Sequence, residues 1–185
     1  MRDRVVRFDE RLSARAHAAG SPGIDRALTR LTRAANFSRL WLAVAAVLAI
    51  CGGRSGRRAA VRGVRALVIA AAVANGPAKL LARRRRPSEA ARPPLIGMPR
   101  STSFPSGHSA SAFAFATGAS AELPLLAPLL IPLAGAVAYS RVHAGVHYPS
   151  DVLAGAAIGA GAGALAGRPS RRARRRAQRA GQPVT

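Results

Sequence analysis

Charge and apolar character are kept apart along this chain. Leu40 to Gly53, Ala66 to Ala78, Ser109 to Ala121, Leu123 to Tyr139 and Val152 to Gly167 contain no Lys, Arg, Asp or Glu, and the charges crowd between them. A soluble helix carries a polar stripe towards water, whereas a membrane helix gathers its charge at its ends. Each stretch is shorter than the roughly 20 residues that cross a bilayer, which keeps a soluble helical bundle open as the competing reading. Phe37, Ser38, Ala59 and Val61 lengthen the flanks, however, and no stretch shows a polar stripe. Arg62 and Arg65 can snorkel to a membrane face. The expected fold is all-α: one polytopic bundle of about five transmembrane helices, since 185 residues suffice for a single domain.

The balance of 29 Lys plus Arg against 7 Asp plus Glu would suit nucleic acid. Aromatic residues are only 4%, so no stacking platform accompanies the arginines. Anionic headgroups are the better match for the tail from Arg168 to Arg179, and no nucleic-acid partner is expected. Cys51 is alone and can form no internal disulfide. With Asp3, Asp9 and Glu10 near the start and no early apolar run, no cleavable signal peptide is expected.

Three regions follow. Residues 1–36 place Val5, Phe8, Leu12, Ile24, Leu28 and Leu31 at helical spacings among arginines, broken at Ser21-Pro22-Gly23; two interfacial amphipathic helices fit. Residues 37–167 hold the membrane helices: 37–53, a basic turn with Arg54, Arg57 and Arg58, 59–81, a polar loop at 83–105, a helix from Ser109, a turn at Glu122 and Pro124, a helix kinked by Pro128 and Pro132, and a last helix. Residues 168–185 form a basic tail expected to be disordered. The last helix repeats glycine at 155, 159, 163 and 167, a strip for close backbone approach and a possible homo-oligomer contact. Five spans put the loops at 82–108 and 140–151 on one side of the membrane.

Polar residues that suit phosphoryl transfer sit in those loops. A phosphate needs several fixed donors, and Lys79, Arg86 and Arg141 are the candidates. If a helix runs on from Lys79, Arg86 lies seven residues along the same face, about 10 Å away. Pro105-Ser106-Gly107-His108 precedes an apolar helix, so Ser106 and the Gly107 N–H can offer donors to an anion, and Gly107 leaves room for it. His108 would then protonate the leaving oxygen. His147 and Asp151 are helical neighbours, so the carboxylate can hold one imidazole N–H and free the other nitrogen to attack phosphorus. Asp151 as a plain helix cap is the competing reading. The chain is poor in metal ligands, and no metal or cofactor is expected.

The strings Lys79-x6-Arg86-Pro87, Pro105-Ser106-Gly107-His108 and Ser140-Arg141-x5-His147-x3-Asp151 resemble the three signature motifs of the type-2 phosphatidic-acid phosphatase and vanadium-haloperoxidase superfamily, small membrane lipid-phosphatase branch. Eleven specified positions match in order. The resemblance implies His147 as nucleophile, Asp151 as its partner, His108 as general acid, and Lys79, Arg86, Ser106, Gly107 and Arg141 as phosphate ligands. It implies a membrane protein, here expected in a bacterial plasma membrane, and a lipid substrate: phosphatidic acid, phosphatidylglycerol phosphate, or a polyprenyl phosphate or diphosphate. Five spans fall short of the six common among relatives, which predicts a more open pocket. A vanadate-dependent haloperoxidase and a non-catalytic lipid-binding protein are the alternatives.

Neighbouring residues have plainer readings. Arg83, Arg84 and Arg85 flank the membrane. His143 has no carboxylate at the helical offset, so it lines the site or stays exposed. His17 belongs to the interfacial segment, and Trp41 is a boundary anchor. Arginines of the first hairpin and the tail lie opposite the site, which places the site outside the cell, although nine arginines from Arg2 to Arg39 nearly balance that rule.

Overall fold

The computed structural model describes residues 2–82, 84–87, 93–99 and 101–167; the basic tail lies outside the described residues. Eight helices follow one another: α1 (Arg2–Ala18), α2 (Pro22–Ala34), α3 (Arg39–Cys51), α4 (Gly53–Asn75), α5 (Pro77–Ala82), α6 (Gly107–Glu122), α7 (Ala127–His143) and α8 (Pro149–Ala166). The all-helical expectation is met, with no strand among the described residues.

Local sequence explains the breaks. Ser21 caps α2 by accepting the Ile24 N–H at 3.4 Å, and Pro22 takes the first turn, where its missing N–H costs nothing. A short 3-10 turn, Asn36–Ser38, then bends the chain by 62° between α2 and α3. Phe37 and Ser38 adopt φ of 53° and 59° there, a left-handed conformation that strains residues bearing a Cβ. The α3–α4 hairpin closes at Gly52, where a Cβ would lie 2.6 Å from the Leu48 carbonyl oxygen, and Gly53, at φ +58°. The expected basic turn is therefore the first two turns of α4, with Arg54, Arg57 and Arg58 already helical.

α6 is the central helix, against α4, α7 and α8. Alanines and glycines dominate these contacts, including Ala66, Ala70, Ala74, Ala110 and Ala114, all fully buried, so the backbones come close. The glycine strip of α8 lies on α6: a Cβ at Gly155 would collide with the Ser106 carbonyl oxygen and one at Gly159 with that of Ala110. This corrects the expectation of a homo-oligomer contact on that strip, because the same chain already covers it. Trp41 is also corrected: it is 1% exposed, with its ring 5.6 Å from that of Phe115, inside the bundle rather than at its boundary. At the far end of α6, Glu122 accepts from Arg58 Nε at 2.7 Å and lies 3.7 Å from Arg62 Nη1.

Gly53–Leu80 and Pro124–His143 are long and apolar enough to cross a membrane, and the bent α2–α3 pair makes a third if taken as one span. α6 and α8, at 16 and 18 residues, are not among these helices. Length and composition therefore do not fix the expected count of five among the described residues.

Candidate active site

Backbone contact sets the frame. The Ser106 N–H donates to the Asp151 carbonyl at 2.9 Å, tying the start of α6 to the start of α8. A cavity of about 220 Å³ opens beside this junction, lined by Lys79, Arg86, Gly107, His108, Arg141 and His147 together with Asn75 and Ser101. Six of the eight expected site residues thus meet in one place. Asp151 stands behind His147. Ser106 stands apart: fully buried, it is outside the cavity lining, and its Oγ accepts from Ser109 N–H at 3.4 Å and Ser109 Oγ at 3.0 Å as the cap of α6.

The cations reach the cavity by a route the spacing did not predict. α5 ends at Ala82, so Arg86 is not on the Lys79 helix. Lys79 Nζ and Arg86 Nη2 nonetheless both donate to Ser101 Oγ at 3.2 Å. Arg86 also donates through Nε to Ser101 O at 2.9 Å, through Nη2 to Thr102 O at 3.2 Å and through Nη1 to Val146 O at 2.6 Å. Arg141 is 2% exposed; its Nη1 donates to Thr32 Oγ1 at 2.7 Å, while its Nε finds no partner among the described residues. A buried unpaired N–H is costly, and a phosphate oxygen would satisfy it. Gly107 faces Asn75, where a Cβ would lie 3.1 Å from Oδ1.

His147 is 3% exposed, and its Nε2 lies 3.2 Å from Arg86 Nη1. A guanidinium only donates, so Nε2 carries the lone pair and the proton sits on Nδ1. Nδ1 is 3.6 Å from Asp151 Oδ2, slightly too long for a hydrogen bond. The same Oδ2 accepts the Tyr148 N–H at 2.9 Å, so Asp151 caps α8 and faces the histidine at once. Burial lowers the His147 pKa to about 4, with Arg141 and Arg86 adding to the shift and Asp151 opposing it. His108 Nε2 donates to Asn36 Oδ1 at 2.9 Å.

Two expectations about neighbours are overturned. Arg84 is not a membrane-flanking residue: it bonds Asp151 Oδ1 at 3.0 Å and Asp9 Oδ2 at 2.7 Å. His143 neither lines the cavity nor is exposed; it is fully buried, 2.9 Å from Ala16 O and 2.7 Å from Asp25 Oδ1. Arg83 and the His17 side chain lie outside the described residues. Asn36, Thr32 and Asp9 support the site from residues 1–36, where no motif pointed to them. Among the described residues no three His, Cys, Asp or Glu side chains gather as a metal site would require.

A family model described as the PAP2 superfamily matches residues 61–174. Two crystal structures are similar. A transmembrane PAP2 type phosphatidylglycerolphosphate phosphatase from Bacillus subtilis is 24% identical at a TM-score of 0.69, covering 88% of this chain and 84% of that one. LpxE from Aquifex aeolicus is 23% identical at a TM-score of 0.69, covering 84% and 92%. No curated protein matches the chain.

Proposed function

Because this chain belongs to the PAP2 superfamily, we propose that it is a membrane lipid phosphatase that works through a phosphohistidine at His147. The observation that carries the reading is a single cavity holding three cations and two imidazoles, with a carboxylate behind one of them.

The phosphate enters between Lys79, Arg86 and Arg141 and takes the Arg86 donor away from His147 Nε2, baring its lone pair. Nε2 attacks phosphorus as the bond to the lipid oxygen breaks, and His108 gives that oxygen its proton. Asp151 balances the charge that His147 acquires. Water, losing its proton to His108, then cleaves the N–P bond, releasing inorganic phosphate and restoring both histidines. The cations hold the equatorial oxygens throughout, and the Gly107 N–H at the start of α6 adds a donor.

A lipid leaving group fits the surroundings. A second cavity of about 390 Å³ shares His108 and Arg141 with the first and is walled by Phe37, Ile96 and Pro99, with Arg33 at its side. His108 thus stands where the cleaved oxygen would pass from one cavity to the other. Phosphomonoester and diphosphate lipids both suit this geometry, phosphatidylglycerol phosphate and polyprenyl diphosphate among them. α4 spans about 33 Å from its arginine-rich start to the site end, so the positive-inside rule puts those arginines in the cytoplasm and the site outside.

Purified protein should release phosphate from a panel of such lipids with and without a chelator. His147→Ala should lower the rate at least about 10³-fold, and acid-labile phosphoprotein should be trapped in wild type on rapid quench. Unchanged phosphate release by His147→Ala would end the reading.

A further inference from the structure

We propose that Arg84 is a positioning residue for the nucleophile, clamped between Asp9 and Asp151 so that the Asp151 carboxylate stays aimed at His147. The inference rests on the phosphohistidine reading above. One extended segment supplies both arginines: Arg86 reaches the cavity, and Arg84 passes behind it to the far oxygen of Asp151.

Asp9 and Asp151 are both fully buried. Two buried carboxylates need a compensating cation, and among the described residues Arg84 is the one arginine or lysine within ion-pair distance of either. Its planar fork suits the task. Nη1 donates to Asp151 Oδ1 at 3.0 Å and Ser150 Oγ at 2.6 Å, while Nη2 donates to Asp9 Oδ2 at 2.7 Å. Asp9 in turn accepts from Ser150 N–H at 2.9 Å and Ser150 Oγ at 2.6 Å. The guanidinium lies over the Tyr148 ring, 4.1 Å from its centroid, and the Arg84 carbonyl accepts the Ser103 N–H at 2.9 Å. Side chain and backbone are therefore both held.

The consequence is a division of labour between the two oxygens of Asp151. Oδ1 is occupied by Arg84, which leaves Oδ2 for the Tyr148 N–H and for His147 Nδ1. Without Arg84 the carboxylate keeps one anchor and can rotate away from the imidazole. Arg84 does not line the phosphate cavity, so it acts through Asp151 on the charge that builds on His147 as the N–P bond forms. That contribution appears in kcat rather than in KM. Asp9 belongs to α1, so the N-terminal helix reaches the start of α8 through this guanidinium and through the Ser150 N–H and Oγ.

The test compares Arg84→Gln, Arg84→Lys, Asp9→Asn, Asp151→Asn and the Arg84→Gln/Asp151→Asn double variant in detergent, with thermal unfolding to confirm that each is folded. Arg84→Gln should lower kcat about ten- to a hundred-fold, the range seen when a partner that orients a ligating histidine is lost, with KM changed less than about threefold. Arg84→Lys should recover part of the loss, since an ammonium reaches one carboxylate but cannot fork between two. In the Asp151→Asn background, Arg84→Gln should cost little more, because both act along one path. Wild-type kcat in folded Arg84→Gln, or losses that multiply in the double variant, would overturn the proposal. If Arg84→Gln does not fold, Arg84→Lys and Asp9→Asn decide: a kcat loss at constant KM supports the proposal, and wild-type kcat in both overturns it. A wild-type enzyme that hydrolyses no lipid phosphate overturns the phosphohistidine reading as well, whereas an active wild type with a fully active Arg84→Gln overturns this inference alone.

Discussion

His147 rests with its lone pair covered by Arg86 Nη1 at 3.2 Å and its proton turned towards Asp151. Its pKa of about 4 sets an expected pH dependence. An imidazolium has no lone pair to attack with, so the fraction of free enzyme whose His147 can attack is half at about pH 4 and rises above it. The acid limb of kcat/KM, corrected for the substrate's own phosphate ionisation, should therefore lie near 4; a limb near 6.5 would mean an ordinary exposed histidine. Asn36→Ala removes the acceptor that orients His108 and should lower kcat about five- to tenfold, the rate equivalent of one hydrogen bond. Both histidines and the three cations that line the cavity stand in the three sequence motifs, although the helical spacing expected from Lys79 to Arg86 does not hold. Arg84 was not, because it sits in a run of four arginines and its partner Asp9 is 75 residues away. Nothing local separates a buried arginine from a solvated one in such a run.

Helix packing decides whether those residues meet. A Cβ at Gly159 would strike the Ala110 carbonyl oxygen and lie 2.8 Å from Ala114 N, both of them backbone that cannot swing aside. Gly159→Val should thus force α8 from α6, lowering stability by about 1–3 kcal/mol and reducing phosphate release. Gly161 has nothing within 4 Å of such a Cβ, so Gly161→Ala on the same helix should match wild type in both thermal unfolding and rate. The glycine repeat was readable as a packing face, but its partner was not, since a strip of small residues fits a neighbouring helix and a second copy equally well. The break at Gly76 was missed for a related reason: an unbroken apolar run reads as one continuous helix, whereas its end near Ala82 was expected from the polar loop that follows.

Across the whole molecule, positive charge collects at both ends of the bundle. Glu122 offsets Arg58 and Arg62 at the end away from the site, while Arg54 and Arg57 remain beside the hairpin. A reporter fused after Thr185 should show cytoplasmic activity if the hairpin arginines govern insertion, and external activity would reverse the proposed orientation. The bundle itself was foreseeable from the separation of charge and apolar residues. The part played by residues 1–36 was not, because amphipathic spacing describes a surface helix without saying which surface it meets. Here α1 and α2 rest on α7, and Thr32, Asn36 and Asp9 each hold a residue of the site.

The bond from Ser106 N–H to the Asp151 carbonyl is made entirely of main chain. The gap between His108 and His147 is therefore a ruler referenced to backbone, which substitutions that spare the α6–α8 contact leave unchanged. A change of headgroup preference is then a matter for the walls around that ruler, at Phe37, Ile96 and Pro99. The chemistry stays put while the grip is free to change.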